Sequence, residues 1–166
     1  MSQYNPLNDF VEPDFKSLLA GVDIELVFSF FNYFSRFEHA LKMCGYKKVD
    51  SQGFLTGVDW RSFEPDISFP THVEEVDKAI SYLCENPVKR QRENLFWREV
   101  EAITPPTFRD ALRQIPYIRN NLFHGSKYLR PDSARDNRLL SAAIILIKCC
   151  LISNQDLHYE FDPSYR

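Results

Sequence analysis

The stretch that decides the fold assignment of this chain is Ile118-Arg119-Asn120-Asn121-Leu122-Phe123-His124-Gly125-Ser126-Lys127. Leu122 lies four residues after Ile118, so both side chains can face one core from adjacent turns of a helix. Gly125 suits a position just past a helix end, where the backbone takes a left-handed conformation. The spacing therefore predicts a helix that buries two apolar residues and ends near His124.

Arg119 and His124 form a chemically meaningful pair within this stretch. They lie five residues apart, which is about 140° of rotation on a regular helix, but a helix that ends near His124 would leave the imidazole freer to approach the arginine. An arginine offers a planar fork of donors to phosphate oxygens, and a histidine transfers protons near neutral pH. In principle this pair can cut RNA without metal by activating the ribose 2′-hydroxyl, which leaves a 2′,3′-cyclic phosphate.

A purely structural interpretation of the same residues stays open. A histidine near the C-terminal end of a helix is stabilised by the helix dipole without any catalytic role. Arg119 would then be a surface residue, and Asn120 and Asn121 would cap the helix.

Two segments of the chain resemble HEPN domains. Arg119-Asn120-Asn121-Leu122-Phe123-His124 is similar to the HEPN signature of an arginine, four residues and a histidine, with a polar residue directly after the arginine. Phe34-Ser35-Arg36-Phe37-Glu38-His39-Ala40-Leu41 resembles the upstream helix of some HEPN proteins. Over residues 20 to 155 the resemblance implies an all-α fold, a homodimer and often metal-independent endoribonuclease activity. Many such proteins act as toxins or in defence against phage, and some have lost catalysis and only bind or scaffold.

The resemblance also implies roles for individual side chains. His124 would transfer the proton, Arg119 would stabilise the phosphate, and Asn120 would orient the substrate or the imidazole. Glu38, on the upstream helix, would hold Arg119 by a charge-assisted hydrogen bond, unless it belongs to a solvated polar face.

An RNA-cutting site needs a local positive patch, because the net charge of the chain is −3, from 20 Lys+Arg and 23 Asp+Glu. That overall charge argues against a non-specific coat on nucleic acid. The residues assigned to substrate binding are Lys127, Arg130 and Asn121. Further cations that could contribute, or could simply be solvated, are Lys89, Arg90, Arg92, Arg113 and Arg135.

Composition predicts one soluble domain over residues 1–166, with a mobile N-terminal arm of about 1–13 and a loose C-terminal tail of about 154–166. Hydrophobic content of 44% and charged content of 26% are ordinary for a globular protein. The four cysteines show no C-x-x-C spacing, so we expect no metal and no cofactor. The longest apolar run, 142–147, is far shorter than a membrane span, and no signal segment is evident. These features predict a cytoplasmic protein without membrane association.

Hydrophobic periodicity predicts an all-α fold, a compact bundle of about four to five main helices. A first helix begins at Asp23 and ends at Gly45, followed by an irregular region, 46–70. Later helices are predicted at Thr71–Glu85 with a capping box, at Val88–Ile103, from Thr107 through the motif with a kink at Pro116, and from Asp132 or Ser133 to Ile152. No strand-like alternation persists, which argues against a sheet. The last helix is apolar on nearly every face, and this favours a homodimer through it and the motif helix.

Three functions are consistent with these observations. The first is a HEPN-type endoribonuclease that acts on RNA. The second is a non-catalytic helical module that binds RNA or a protein partner, which the acidic net charge favours. The third is the toxin of a toxin–antitoxin pair, regulated by an antitoxin or by modification of Tyr128, although Tyr128 departs from the spacing of the toxin subgroup that carries such a tyrosine.

Overall fold

The computed structural model describes residues 9–67, 72–123 and 132–164, with the backbone alone at Phe123. The chain is predominantly helical, as the periodicity predicts. The helices are α1 (Phe15–Leu18), α2 (Ile24–Met43), α3 (Glu74–Glu85), α4 (Phe108–Leu112), α5 (Ile115–Phe123), α6 (Ser133–Ser153) and α7 (Gln155–Phe161). The strands are β1 (Lys47–Val49), β2 (Leu55–Val58), β3 (Arg90–Gln91) and β4 (Trp97–Arg98). The first eight residues of the predicted mobile arm lie outside the described residues.

Helix α2 confirms the first helix predicted from the sequence, including both of its ends. The side chain of Asp23 accepts hydrogen bonds from the backbone N–H groups of Glu25 and Leu26, at 2.9 and 3.4 Å, which satisfies two donors that a helix start leaves unpaired. At the other end Gly45 has a φ of +94°, and the N–H of Tyr46 donates to the carbonyl of Leu41 at 2.9 Å. This pattern is a Schellman motif, which suits glycine because the left-handed conformation carries no Cβ penalty there.

Helix α6 lies at the centre of the core and packs against α2 and α3. Asp132 caps its start by accepting from the N–H of Arg135 at 3.3 Å, as predicted. Its apolar residues are buried within a single chain: Leu139, Leu140, Ala142, Ala143, Ile144, Leu146, Ile147, Cys149, Cys150 and Leu151. Their burial needs no second copy, so the apolar character of α6 no longer argues for a dimer, and the homodimer stays a prediction.

Helix α3 begins later than the capping box predicts. Its cap residue is Val73, which makes no side-chain hydrogen bond to the helix, and Thr71 lies outside the described residues. The start is stabilised instead by acidic residues in the first turn, Glu74, Glu75 and Asp77, whose charges favour the positive end of the helix dipole.

Two antiparallel hairpins correct the prediction that the chain lacks strands. Strands β1 and β2 pair inside the region predicted to be irregular, with a bulge between Lys48 and Val49. Strands β3 and β4 pair where a helix is predicted over Val88–Ile103. The helix does not form because two residues of its apolar stripe, Leu95 and Phe96, are largely exposed, and a helix without a buried face gains little from packing.

The motif helix is interrupted rather than kinked. Thr107 caps α4, as predicted, by accepting from the N–H of Asp110 at 3.1 Å. Helix α4 then ends at Leu112 with Arg113 as its C-cap, and α5 begins at Ile115. Pro116 therefore lies in the first turn of a new helix, where its missing N–H breaks no intrahelical hydrogen bond.

The segment after α6 is a packed helix and not the loose tail that the sequence predicts. Helix α7 packs against α2 and α6, and Leu157 is fully buried. Arg36 of α2 caps its end, since Nε donates to the carbonyl of Phe161 at 2.8 Å and Nη2 to that of Glu160 at 2.8 Å. The ring of Phe161 also stacks on Tyr33 with centroids 5.7 Å apart.

We expect Leu157→Ala to lower the free energy of unfolding by about 2–5 kcal/mol, because it leaves a cavity between α7 and the core. Urea unfolding followed by circular dichroism measures the loss. The control is Tyr159→Ala, since Tyr159 lies on the same helix and is half exposed. Equal, small losses in both variants would mean that α7 is not part of the cooperative core.

Among the described residues no single helix is long and apolar enough to cross a membrane. Helices α6 and α7 reach that length and composition only when counted together, and the chain bends by 118° between them.

Candidate active site

Arg119 lies on the exposed side of α5 and contacts α2. Its Cζ is 5.9 Å from the centroid of the Phe34 ring, within the range of a cation–π contact. The ring supports the guanidinium from the side of α2. Phe34 itself is almost fully buried, so the cation rests on a fixed surface.

Asn120 is the immediate neighbour of this cation in space as well as in sequence. Its Oδ1 accepts a hydrogen bond from Nη1 of Arg119 at 3.0 Å. Both side chains are exposed. The two residues thus form one polar unit, in which the amide orients the guanidinium.

His124, Lys127 and Arg130 lie outside the described residues. Helix α5 carries Arg119, Asn120 and Asn121. The predicted approach of His124 to Arg119 and the predicted substrate contacts of Lys127 and Arg130 stay predictions.

Glu38 does not hold Arg119 in the described part of the chain, where no ion pair joins the two side chains. Glu38 is half-buried on α2, one turn after Phe34 and on the same face. The ring of Phe34 occupies the supporting position that the resemblance assigns to a carboxylate. Only the packing of α2 on α5 could reveal this role, because in the sequence Phe34 belongs to an ordinary aromatic stripe.

Asn121 makes a structural contact where the sequence analysis assigns a substrate contact. Its Nδ2 donates to the backbone carbonyl of Lys89 at 2.7 Å. Close by, Oε1 of Gln114 accepts from the N–H of Val88 at 3.1 Å. The side-chain amides of Asn121 and Gln114 therefore connect α5 and its preceding residue to residues 88 and 89, which lead into β3.

Several cations predicted to form a positive patch are engaged elsewhere. Nη2 of Arg135 donates to the backbone carbonyls of Asn86 and Pro87 at 3.2 and 2.9 Å. Nζ of Lys89 pairs with Glu99 at 2.7 Å. Glu99 therefore neutralises Lys89, whereas Arg135 keeps its charge and is held against the turn that follows α3.

Arg90 lies at the surface of α5 instead. Its Cζ is 5.3 Å from the centroid of the Tyr117 ring. Tyr117 stands two residues before Arg119 and is 43% exposed. The sequence analysis missed Tyr117; its position in the motif helix, between buried Ile115 and Ile118, was the available signal.

The cysteines do not offer a thiolate nucleophile at neutral pH. All four are free. Burial raises the pKa of the Cys149 thiol to about 11, and it also raises the pKa of Cys150, Cys84 and Cys44. Protonated thiols are weak nucleophiles, so the chemistry of the site falls to the polar residues of α5 and the segment after it.

No group of three or more His, Cys, Asp or Glu side chains in the described ranges is arranged to hold a metal ion. The chain matches no protein-family model, no curated protein and no solved structure. The resemblance to HEPN domains thus rests on the two quoted segments, and the architecture agrees with it at the level of a predominantly helical fold.

Proposed function

We propose that this chain is a metal-independent endoribonuclease of HEPN type. The observation that supports the proposal is the contact between Arg119 and Phe34. Each residue belongs to one of the two segments that resemble HEPN domains, and the segments are far apart in the sequence. Their packing puts an exposed cation on the helix that leads to His124.

The proposed reaction uses the 2′-hydroxyl of the RNA as its nucleophile. His124 accepts the proton of that hydroxyl, the 2′-oxygen bonds to phosphorus, and the bond from phosphorus to the 5′-oxygen breaks. Arg119 stabilises the negative charge that builds up on the non-bridging oxygens, since its fork of donors matches them. A water molecule gives the leaving 5′-oxygen its proton, and the products are a 2′,3′-cyclic phosphate and a 5′-hydroxyl.

The proposed active unit is a homodimer, in which the HEPN motifs of two copies meet across a symmetric interface and build a composite site. Helix α5 is the natural surface for it, because the motif residues Arg119 and Asn120 are exposed on it. A role as a toxin or in defence against phage, regulated by an antitoxin or another protein, belongs to the same proposal.

The second candidate function is a non-catalytic helical module that binds RNA or a protein. The net charge of −3 favours the form that binds a protein, because non-specific attraction to nucleic acid is weak at such a charge. It differs from the first in one respect that can be measured, the cleavage of a phosphodiester bond.

The test uses labelled mixed-sequence RNA in excess EDTA. We expect the wild type to cut this RNA and to leave 2′,3′-cyclic ends, while the same RNA with 2′-O-methyl groups stays intact because it has no nucleophile. His124→Ala, purified in the same way, controls for contaminating nucleases. Cleavage that stops in EDTA, or that proceeds equally in His124→Ala, would contradict the proposal, and binding without cleavage would favour the second candidate.

A further inference from the structure

A groove of about 580 Å³ opens beside the candidate site. It lies between the first hairpin and the start of α5. Its walls are formed by Lys48, Trp60, Arg61, Arg113, Pro116 and Tyr117. The sequence analysis did not identify this surface, because its residues come from separate parts of the chain.

The groove is positively charged on a chain that is acidic overall. Lys48 and Arg61 are exposed, and within the described ranges no carboxylate pairs with either side chain. Arg113 pairs with Asp110, Nη1 to Oδ1, at the long distance of 3.8 Å. A concave surface lined by several cations has a raised positive potential, which attracts an anionic ligand.

Two aromatic rings line the same groove. Trp60 is half-buried and stacks on Phe34, with centroids 6.0 Å apart and an interplanar angle of 20°. Tyr117 is exposed to 43%. Cations that follow a phosphate backbone, combined with rings on which bases stack, are the features by which proteins bind single-stranded nucleic acid.

The groove lies close to the candidate active site. The ring of Phe34 is 6.0 Å from that of Trp60, which lines the groove, and 5.9 Å from Cζ of Arg119. Along α5, Arg119 follows Pro116 by three residues, which is a rise of about 4.5 Å and roughly one turn. A strand lying in the groove would therefore have its next phosphate near Arg119.

We propose that this groove binds single-stranded RNA and guides it to Arg119, with the phosphates on Lys48, Arg61 and Arg113 and a base stacked on Tyr117. The assignment of RNA as the ligand rests on the proposed endoribonuclease function. The groove itself predicts binding that can be measured without cleavage.

The test measures binding of a fluorescent single-stranded RNA by anisotropy, in a His124→Ala background so that no cleavage occurs. We expect Tyr117→Ala to weaken binding about 5- to 100-fold through the loss of one stacked base. Affinity falls as salt rises, and in the double variant Lys48→Ala with Arg61→Ala this dependence should be shallower. The magnitude of the slope of log affinity against log salt should drop by about 1.4, the value for two lost phosphate contacts on a single strand.

The matched controls lie outside the groove. Tyr159→Ala removes a half-exposed tyrosine on α7, and Lys16→Ala combined with Lys78→Ala removes two exposed lysines on other helices. Both should leave affinity and salt slope unchanged. Thermal melts of all variants identify any loss of affinity that comes from unfolding.

The outcomes separate the groove from the catalytic proposal. If the wild type cuts RNA and the groove variants bind as well as their controls, the groove proposal is overturned while the nuclease proposal stands. If the groove variants lose affinity but the wild type never cuts, RNA binding stands and the nuclease proposal fails. Equal affinity for duplex RNA would overturn the assignment of a single-stranded ligand, because paired bases cannot stack on Tyr117.

Discussion

Replacing Arg119 or His124 with alanine is expected to slow RNA cleavage by about 10²–10⁴-fold. The two losses have different physical causes. Without His124 the 2′-hydroxyl has no positioned base, and without Arg119 the charge on the phosphorus oxygens has no positioned cation. Because Arg119 is exposed, thermal melts of the alanine variant should show that it remains folded, so that a lost rate reports on the chemistry.

Arg119→Lys distinguishes a catalytic arginine from a merely positive surface. Lysine keeps the charge but replaces the planar fork with a point charge, so we expect a rate between those of the wild type and Arg119→Ala. Single-turnover cleavage with enzyme in excess measures these rates without interference from product release. Asn120→Ala should have a smaller effect, because Asn120 acts through its hydrogen bond to Arg119.

Arg138→Ala is the matched control for this series. Arg138 is an exposed arginine on α6, and its Cζ lies 4.0 Å from the centroid of the Tyr82 ring. It reproduces the environment of Arg119 at a surface with no proposed catalytic role. Cleavage by Arg119→Ala at the rate of Arg138→Ala would rule out the proposed role of Arg119.

The sequence predicted the elements whose signals are local. Helix α2 combines an aromatic period with Asp23 at its start and Gly45 at its end, and α6 combines an apolar run with Asp132 as its cap. Each signal lies within the helix or at most two residues beyond it. Caps and periodicity together therefore identified both long helices with errors of one or two residues at the ends.

The elements that were predicted wrongly lack a recognisable local signal. Helix α7 is stabilised by Arg36, which caps it from 125 residues away in the chain. The hairpin of β3 and β4 has a two-residue pairing register, too short to show alternation. The turn of this hairpin has a positive φ at Leu95. Residues other than glycine rarely adopt that conformation, so the sequence does not predict a turn there.

The same distinction applies to the candidate site. Arg119 and Asn120 are recognisable from a short motif, and the structure places them together on an exposed surface. The use of Asn121 to hold the Lys89 carbonyl, and of Phe34 to support Arg119, follows from how α5 packs on its neighbours. No spacing along the chain encodes those contacts.

Phe37→Ala is expected to lower the free energy of unfolding by about 3–5 kcal/mol, the usual cost of emptying a buried phenylalanine site. Phe37 has no exposed surface. Its ring lies 6.0 Å from that of Trp60 and 5.9 Å from that of Phe63, so the substitution also removes two aromatic contacts. A loss of this size is a large part of the roughly 5–15 kcal/mol that stabilises an ordinary domain.

Phe28→Ala is the control for this prediction, because Phe28 lies on the same helix but is 64% exposed. Both variants exchange phenylalanine for a better helix former, so any difference between them measures burial alone. Urea unfolding gives the two free energies, and a change in tryptophan emission of Phe37→Ala before unfolding would report on Trp60.

Because Trp60 lines the groove and stacks on the ring that supports Arg119, loosening this cluster should also weaken RNA binding in the folded protein. Equal stability of the two variants would mean that the aromatic face of α2 does not hold the core and the candidate site together.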